Sequence, residues 1–600
     1  MRDEQRERSV VDARFRVLIA LILATLLLLA WRFGDLQLGE HEQFAARAED
    51  NRIRLRALAP NRGLILDRKG RVLAENRPAY RLVVVPERTG GLDATLSQIR
   101  QLVPVSDEEE RRFERSLQRS RPFEAITLKD NLDESQVARV AIERHRLDGV
   151  EIEPYLTRHY PHGPALAHVV GYIGRIDTAD LDRLDPEARD QYRATTHVGK
   201  TGIERYYEGA LHGRAGLERV ETNAQGRVVR MLERTRPVPG EDLTVNLDLE
   251  LQLAAVAALG DRSGAVVVLK VDTGEVLALV SHPGYDPNLF VHGISQTRYN
   301  RLLSDTRRPL FNRFLSGGYE PGSTVKPLIA LAGLEQDLIT PTTEVFSRGW
   351  YQLPGHSRQY RDWREEGHGW VDLRLALAES VNVYFYQLAV ELGIDRISRE
   401  LALFGFGRAT GLDLPGENDG VLPTRSWKRA TFGEAWFPGE TVITGIGQGF
   451  TIVTPLQLAH ATAALAGRGL TAPPALVGMR DPVQMVVHEP EDWESVFEGL
   501  EAVVHGPSGT ARSIAGQLPV RVAGKTGTAQ VFGRPDDDED DEDREDLPEH
   551  LRNHALFIGF APLEAPRVAL SVVVEHGGGG ARVAAPVAGA VLRRALELGY

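Results

Sequence analysis

The 600-residue sequence has no cysteine and very little lysine, since only seven of its 71 Lys and Arg residues are lysines. The absence of cysteine excludes disulfide-stapled folds, thiolate metal sites and cysteine nucleophiles, although it leaves the redox compartment open. Arginine stays protonated, whereas a lysine that is removed from water can lose its proton and act as a base. Lysine-containing motifs are therefore the strongest candidates for catalytic chemistry.

A basic charge balance is also missing, because the formal net charge is −13. This balance argues against general nucleic-acid binding, and we expect no nucleic-acid partner. The segment Asp536–Asp546 alone holds ten acidic residues and one arginine, which predicts a solvated loop. With 42% hydrophobic and 26% charged residues the rest is ordinary globular sequence, and its length requires more than one domain.

One long apolar segment lies near the N-terminus. Val17–Trp31 is uncharged and flanked by Arg16 and Arg32. It spans about 22 Å as a helix, and aromatic neighbours and arginine stems can extend it toward the 30 Å or so of a bilayer core. No small-residue cleavage site follows, which favours an uncleaved signal-anchor over a cleaved signal peptide. Five arginines precede it, so the positive-inside rule predicts a cytoplasmic N-terminus and an exported remainder.

The rest of the chain divides into two regions by pattern. A hairpin pattern at Asn61–Ala74 and further short strands among helices predict an elongated mixed α/β pedestal. Later, a hairpin pattern at Gly264–Ser281 and strands near the C-terminus enclose a helical middle. They predict an α+β domain with one antiparallel sheet flanked by helices. The expected boundaries are a tail over 1–16, a transmembrane signal-anchor over 17–34, a pedestal over 35–245 and a second domain over 246–600.

The first chemical motif is Ser-x-x-Lys at Ser323 and Lys326, followed directly by Pro327. Proline is tolerated only in the first turn of a helix, so Ser323 should lie at a helix N-terminus. Three-residue spacing places the hydroxyl and the amine on one helix face, where the helix dipole favours developing negative charge. A serine nucleophile with an amine base is one interpretation. A capping serine before an exposed lysine is the other.

Two further motifs favour the nucleophile. A Ser-Val-Asn sequence at 380–382 lies between two helical stretches, and Lys-Thr-Gly-Thr at 525–528 lies on a predicted strand. Ser-x-x-Lys, Ser-x-Asn and Lys-Thr-Gly in this order match a set typical of serine acyl-transfer enzymes. A second Lys-Thr-Gly at 200–202 precedes Ser323 and continues into a helical pattern, so it is assigned to the pedestal. The glycine run His576–Gly580 lacks a phosphate-loop lysine and is predicted to be a flexible turn.

With these motifs and the anchor, the sequence resembles the class B penicillin-binding proteins over almost its full length. The segments 308–326 and 384–388 are similar to the elongation-type branch. The resemblance implies a dimerisation-type pedestal and a transpeptidase domain that cross-links peptidoglycan stem peptides ending in D-Ala-D-Ala and is acylated by β-lactams. It also implies a single-pass inner-membrane protein with a periplasmic catalytic domain. The implied partners are a membrane-embedded glycan polymerase and shape-determining membrane proteins.

The resemblance further implies roles for the motif residues. Ser323 is expected to be the nucleophile, Lys326 the base and Ser380 the relay that passes a proton to the leaving amine. The backbone N–H groups of Ser323 and Thr528 are expected to form the oxyanion hole. The expected substrate-binding residues are Asn382, Lys525, Thr526, Gly527 and Thr528.

Some members of this family hold a zinc ion in the middle region. At the four corresponding positions this sequence retains Asp362 and His368, whereas the other two are Ser347 and Val381. Two ligands make a poor zinc site, so we expect no metal and no cofactor. A further departure is Glu320, where relatives usually carry proline, and no effect on the site is expected from it.

Several other functions share these motifs. A division-type transpeptidase is the near alternative, and a D,D-carboxypeptidase would differ only in using water as the acceptor. A β-lactamase needs a base that activates water and rarely has an anchor or a pedestal, and a β-lactam sensor needs a signalling domain. A non-enzymatic scaffold for wall synthesis would not require all three motifs.

Overall fold

The computed structural model describes residues 2–39, 53–223, 227–530 and 548–600. The acidic segment Asp536–Asp546, which we predict to be a solvated loop, lies outside these ranges.

The first helix, α1 (Arg2–Gly34), continues into a π-helical turn at Asp35–Gly39. Its candidate membrane-spanning segment, Ala13–Leu38, has 26 residues and contains an 18-residue stretch with a mean hydropathy of 2.3 and no buried residue. At 1.5 Å per residue this segment is about 39 Å long, enough to cross a hydrocarbon core of about 30 Å. The helix is thus longer than the uncharged stretch of the sequence suggests, and it fits a single-pass membrane anchor.

The amino-terminal region after the anchor is a mixed α/β structure. Its elements are β1 (Ile53–Leu58), β2 (Ile65–Leu66), β3 (Val72–Val84), α2 (Leu92–Leu102), α3 (Asp107–Arg119), β4 (Ile126–Leu132), α4 (Glu134–Glu143), β5 (Val150–His159), α5 (Ala167–Val170), β6 (Ile173–Arg175), α6 (Thr178–Arg183), α7 (Pro186–Gln191), β7 (His197–Gly199), α8 (Gly202–Tyr206), α9 (Glu208–His212), β8 (Gly216–Thr222), β9 (Val228–Thr235) and β10 (Leu243–Thr244).

The long strand β3 organises this region. It pairs antiparallel with β2, β4 and β5, and the β2–β3 connection is the hairpin that the sequence predicts. Helices α2, α3 and α4 contribute Ile99, Phe113 and Val140 to a core that also contains Leu82 and Val84 of β3. A separate antiparallel sheet has the order β1-β8-β9 and joins chain segments more than 150 residues apart. The second Lys-Thr-Gly motif leads into α8, in agreement with its assignment to this region.

The carboxy-terminal region has the α+β organisation that the sequence predicts. Its elements are α10 (Leu249–Leu259), β11 (Gly264–Lys270), β12 (Val276–His282), α11 (Asn288–Val291), α12 (Gln296–Ser304), α13 (Arg313–Ser316), α14 (Lys326–Glu335), β13 (Val345–Ser347), β14 (Trp350–Gln352), β15 (Gln359–Arg361), β16 (Gly369–Val371), α15 (Leu373–Ala378), α16 (Asn382–Leu392), α17 (Ile394–Leu403), α18 (Arg425–Phe432), α19 (Pro438–Thr444), α20 (Pro455–Ala466), β17 (Leu470–Thr471), β18 (Val483–Gln484), α21 (Pro490–His505), β19 (Ala523–Ala529), β20 (His554–Ala561), β21 (Val568–Val574) and α22 (Ala584–Glu597).

A five-stranded antiparallel sheet of order β12-β11-β21-β20-β19 forms the centre of this region. Its strands read as continuous apolar runs because both faces are covered: α10 and α22 pack on one face, and α20 packs on the other. Val266 and Val267 of β11 point to opposite faces and both are fully buried. Each such side chain contributes about 1.5–3 kcal/mol of hydrophobic stabilisation. The strand at one edge, β19, carries the Lys-Thr-Gly-Thr motif.

Candidate active site

The three sequence motifs meet at the edge of the central sheet. Lys326 is the first residue of α14, Ser380 lies in the turn between α15 and α16, and Lys525 lies on β19. All three side chains are buried, whereas Ser323 is half-buried. The fold thus brings together residues that are up to about 200 positions apart in the chain.

Ser323 lies in a short 3-10 turn, Gly322–Val325, that leads directly into α14. The predicted position at a helix start is therefore confirmed, with a tighter first turn than an α-helix has. Gly322 has a φ of +55°, and a Cβ atom there would lie 2.8 Å from the carbonyl oxygen of Thr528. Because glycine has no Cβ, the backbone of this turn can lie directly against β19.

The Lys326 amine is held by three hydrogen bonds. Its Nζ donates to the Ser380 carbonyl oxygen at 2.7 Å, to Asn382 Oδ1 at 2.7 Å and to Ser380 Oγ at 3.3 Å. Burial lowers the pKa of Lys326 to about 7, because the charged amine loses its hydration, while the Asp362 carboxylate partly opposes this shift. A substantial fraction of Lys326 is therefore neutral near pH 7 and can accept a proton.

Ser380 is the residue through which the motifs contact one another. Its Oγ accepts hydrogen bonds from Lys326 and, at 2.8 Å, from Lys525. Ser380 also has a φ of +61°, in the left-handed region that non-glycine residues rarely occupy. Such a conformation costs about 1–3 kcal/mol and is maintained here by the surrounding contacts, a pattern common at functional sites.

Lys525 is completely buried in the strand. Its Nζ donates to Ser380 Oγ and, at 3.2 Å, to the Thr526 carbonyl oxygen. Burial, and secondarily the charge of Lys326, hold the pKa of Lys525 well below its usual value. The Thr526 hydroxyl contacts that of Thr510 at 2.8 Å, and the Thr528 hydroxyl accepts from the Gly580 N–H at 3.4 Å.

Two of the four positions that the sequence analysis considers for zinc, His368 and Asp362, contact residues next to the Ser380 turn. His368 Nδ1 contacts the Glu379 carboxylate at 2.6 Å, and its Nε2 lies 3.7 Å from Asp362 Oδ1. Asp362 Oδ2 also accepts the backbone N–H of Val383, near the start of α16. Among the four positions 347, 362, 368 and 381, only Asp362 and His368 carry side chains that bind zinc strongly. The fully buried Val381 offers none and the buried Ser347 hydroxyl is a weak ligand, so the set does not fit a tetrahedral zinc.

Neighbouring charges shift the pKa values of Asp362 and His368 in opposite directions. Burial acts to raise the pKa of Asp362, but His368 and Lys326 outweigh it, and the pKa lies below its usual value. Burial likewise opposes protonation of His368, yet the nearby Asp362 carboxylate and the hydrogen bond to Glu379 raise its pKa. The imidazole therefore lies between two carboxylates next to the Ser380 turn, hydrogen-bonded to Glu379 and 3.7 Å from Asp362.

Glu320 is a site residue whose importance the sequence analysis missed. Its carboxylate accepts the Gly449 N–H at 3.1 Å, while the Gly322 N–H donates to the Gly447 carbonyl at 2.9 Å. The residues on either side of Pro321 therefore bind the same glycine-containing loop. Burial raises the pKa of Glu320 to about 7, and the Gly449 N–H only partly opposes this shift. The unusual residue type at this position was the available signal.

The glycine run after β21 is the second feature that was missed. A Cβ on Gly580 would lie 2.3 Å from the carbonyl oxygen of Gly527. This run therefore packs against the Lys-Thr-Gly strand, and its composition reflects close backbone contact. The prediction of a turn at His576–Gly580 is correct, but this turn also packs against the strand that carries the Lys-Thr-Gly motif.

Comparisons with known proteins match both regions. The model of the penicillin-binding protein transpeptidase domain matches residues 264–593, and that of the penicillin-binding protein dimerisation domain matches residues 57–245. The chain is 40% identical to peptidoglycan D,D-transpeptidase MrdA of Escherichia coli strain K12, over 99% of this chain and 95% of that protein.

Solved structures agree with these matches. Penicillin-binding protein 2 of Helicobacter pylori, in its complex with MreC, is 30% identical, with a TM-score of 0.78 over 91% of this chain and 99% of that one. A chain of a peptidoglycan synthase complex, solved to show structural coordination of polymerization and crosslinking, is 32% identical. Its TM-score is 0.69 over 96% of this chain and 97% of that one. The predicted fold class, with an apolar N-terminal helix, a dimerisation-type domain and an α+β catalytic domain, is confirmed.

Replacing Glu320 tests how much its ionisation lowers the free energy of unfolding. Glu320→Gln keeps an oxygen for the Gly449 N–H but cannot ionise. The folded-state pKa of Glu320 is raised from 4.5 to about 7, so the contribution of this one group to stability is most favourable below about pH 4.5 and is lost as the pH rises to 7. We expect the Gln variant to match the wild type at pH 4.5 and to be more stable at pH 8, by up to about 3 kcal/mol.

Calorimetric melting at both pH values measures this difference. The matched control is Glu366→Gln, because Glu366 is exposed in the same region. Equal pH dependence of the wild type and Glu320→Gln would contradict the prediction.

Proposed function

This chain belongs to the class B penicillin-binding proteins, and on that basis we propose that Ser323 is the nucleophile of its peptidoglycan D,D-transpeptidase reaction. The family and the relatives support a serine-type acyl transfer on stem peptides that end in D-Ala-D-Ala. The observation that carries the residue assignment is the environment of Lys326. It is buried three residues after Ser323, is hydrogen-bonded to Ser380 and has a pKa near neutrality.

Acylation begins when the neutral Lys326 amine takes the Ser323 proton as the Ser323 oxygen attacks the penultimate D-Ala carbonyl. Negative charge then develops on that carbonyl oxygen, where the N–H groups of Ser323 and Thr528 form the oxyanion hole. Each such donor typically contributes about 100- to 1000-fold to the rate. The proximity of the Thr528 backbone to Gly322 supports this arrangement.

Collapse of the tetrahedral intermediate breaks the peptide bond and releases D-alanine. The leaving nitrogen needs a proton, and Ser380 is placed to deliver it. Its oxygen accepts from both lysines, so its own hydrogen is free to be donated, and Lys326 can replace it. The acyl group remains as an ester on Ser323.

The second half-reaction repeats these proton transfers in reverse. An amine of a neighbouring stem peptide attacks the Ser323 ester, loses a proton to the same relay and forms the new amide. The Ser323 oxygen recovers its proton and the free enzyme returns. β-Lactams present a strained amide in place of the D-Ala-D-Ala peptide bond. The ester that they form on Ser323 persists, because it is not resolved by the acceptor amine.

Substrate recognition uses the β19 motif. The terminal carboxylate of the donor peptide lies near Lys525, with hydroxyl groups of Thr526 and Thr528 beside Gly527, and the Asn382 side chain contacts the peptide amide. In the free protein, burial favours the neutral form of Lys525. A bound carboxylate favours the charged form, so we expect substrate binding to be coupled to proton uptake at this lysine.

Partners and location follow from the relatives. One structural relative is a complex with MreC and another is a peptidoglycan synthase complex, which support a shape-determining partner and a glycan polymerase for this chain. The arginine-rich start of α1 supports a cytoplasmic N-terminus. The domains after the anchor, with expected boundaries of 35–245 and 246–600, would then lie in the periplasm, where stem peptides are found.

Removing the nucleophile tests the central assignment. We expect Ser323→Ala to abolish covalent labelling by a fluorescent penicillin and to leave the melting temperature nearly unchanged, because only one half-buried hydroxyl is lost. Mass spectrometry of the labelled wild type should locate the adduct on Ser323. Ser495→Ala, at a half-buried position of helix α21, is the control. Labelling that persists in Ser323→Ala would refute the assignment.

Replacing the base tests the role of Lys326. Because its pKa is about 7, the acylation rate should rise with pH through 7 and level off above it. Lys326→Arg should lose about 100- to 10,000-fold in rate, nearly as much as Lys326→Ala, since arginine keeps its proton. Lys270→Arg, at an ion pair with Glu275, is the control. Acylation by Lys326→Arg at the wild-type rate would exclude Lys326 as the base.

Protease accessibility tests the proposed topology. In spheroplasts, an externally added protease should digest the region that contains Ser323 while the inner membrane is intact. A cytoplasmic marker protein should stay intact under the same conditions. Protection of the Ser323 region until the membrane is broken would show that the orientation is reversed.

A further inference from the structure

A cavity of about 150 Å³ lies in the dimerisation-type domain, far in sequence from the active-site motifs. Strands β3, β4 and β5 form one side of it, the antiparallel pair of strands β6 and β7 forms another, and the end of α11 closes it. The volume corresponds to about five water molecules, which suits a small polar ligand. We name it the pedestal cavity.

Three arginines line the pedestal cavity. The side chain of Arg158 is fully buried, whereas those of Arg81 and Arg175 are each 38% exposed. Each guanidinium group also pairs with a carboxylate, Arg81 with Glu153, Arg158 with Glu204 and Arg175 with Asp130. Asp130 is the only acidic lining residue, and its carboxylate already accepts a hydrogen bond from Arg175.

The lining also has hydrogen-bond donors without acceptors. Among the side chains of the described residues, the buried atoms without a partner include Arg158 Nη2, Arg175 Nε and the Tyr155 hydroxyl, and all three residues line this cavity. Buried polar groups are nearly always satisfied, so each exception requires an explanation such as a bound water or ion. Two of these atoms can only donate, and a hydroxyl can also do so.

Other contacts hold these donors in place. Arg158 Nε donates to the buried Glu204 at 2.7 Å and its Nη1 donates to the Gly63 carbonyl at 2.7 Å, which leaves Nη2 fixed in position. The Arg81 guanidinium stacks 5.7 Å above the Tyr155 ring. The donors are thus preorganised, which lowers the entropic cost of binding a ligand.

The histidine at the cavity is neutral. Burial and the charge of Arg175 lower the pKa of His197 to about 4, and its Nε2 donates at 2.8 Å to the carbonyl of Val291 in α11. This bond joins the cavity wall to the transpeptidase domain. A ligand in the cavity would therefore contact both domains.

We propose that the pedestal cavity binds a compact oxyanion, either a phosphate or a carboxylate group, through Arg158, Arg175 and Tyr155. An oxyanion supplies several acceptors and no obligatory donor, which matches the unsatisfied groups. Guanidinium groups bind both phosphate and carboxylate well, and the N–H groups of Arg158 and Arg175 that their carboxylate partners leave unsatisfied can donate to the anion. The proposal does not depend on the acyl-transfer assignment.

The test is binding of sodium phosphate and of sodium acetate to the full-length protein in detergent, by calorimetry and by melting, at constant ionic strength. The two salts distinguish phosphate from carboxylate recognition. We expect at least one of them to raise the melting temperature of the wild type. Tyr155→Phe should weaken that binding about 10- to 100-fold, because a hydrogen bond to a charged ligand is lost.

Tyr155→Phe should fold normally, since without ligand it removes only an unsatisfied buried hydroxyl. The control is Arg77→Lys on the same strand β3, whose exposed ion pair with Glu75 lies outside the cavity lining. It should bind the anion as the wild type does. A crystal soaked in the salt that binds should show density for the anion between Arg158 and Tyr155.

Three outcomes would overturn the proposal. The first is that neither salt shifts the wild-type melting temperature. The second is that Tyr155→Phe binds the anion as tightly as the wild type, which would place binding elsewhere. The third is that the soaked crystals show only water in the cavity.

Discussion

The active site depends on one shared hydrogen-bond acceptor, Ser380 Oγ, which lies within 3.3 Å of two buried lysine amines. The ammonium groups of Lys326 and Lys525 would repel each other strongly at this distance, and burial also removes their hydration. The result is a pair of lysines that favours the loss of at least one proton. Burial of the two amines therefore favours the neutral form of at least one of them near neutral pH.

The surrounding helices and side chains hold Ser380 in place. Ser380 is in a left-handed conformation that a free turn would rarely adopt. The helices on both sides fix it, and the side chains of Asp362, His368 and Glu379 support it from behind. There a buried imidazole lies between two carboxylates, so His368 and Asp362 bear opposite charges close to the Ser380 turn.

Much of this arrangement was predictable from the sequence. Patterns of apolar residues located the anchor, the β11–β12 hairpin and the helix after Ser323, because these depend on local chemistry. The order of three short motifs indicated which lysines and serines would meet. The roles assigned to them stay predictions, although the structure places the side chains together.

What could not be predicted depends on contacts between distant segments. Nothing in Glu320 itself shows that its carboxylate meets Gly449, 129 residues later. The pairing of β1 with β8 likewise depends on a return of the chain that no local pattern encodes. The pedestal cavity is lined by five strands and one helix, so its unsatisfied donors appear only after the chain has folded.

The glycines around the Gly322–Val325 turn limit which residues can be substituted next to Ser323. A Cβ on Gly447 would lie 2.2 Å from the carbonyl oxygen of Gly322, and one on Gly527 would lie 2.8 Å from a methyl group of Thr324. With Gly580 against Gly527, backbone encloses the turn on several sides. A larger residue at any of these positions would displace the backbone that carries Ser323. Substitutions that leave the Gly322–Val325 turn in place are therefore confined to positions whose side chains do not lie against it.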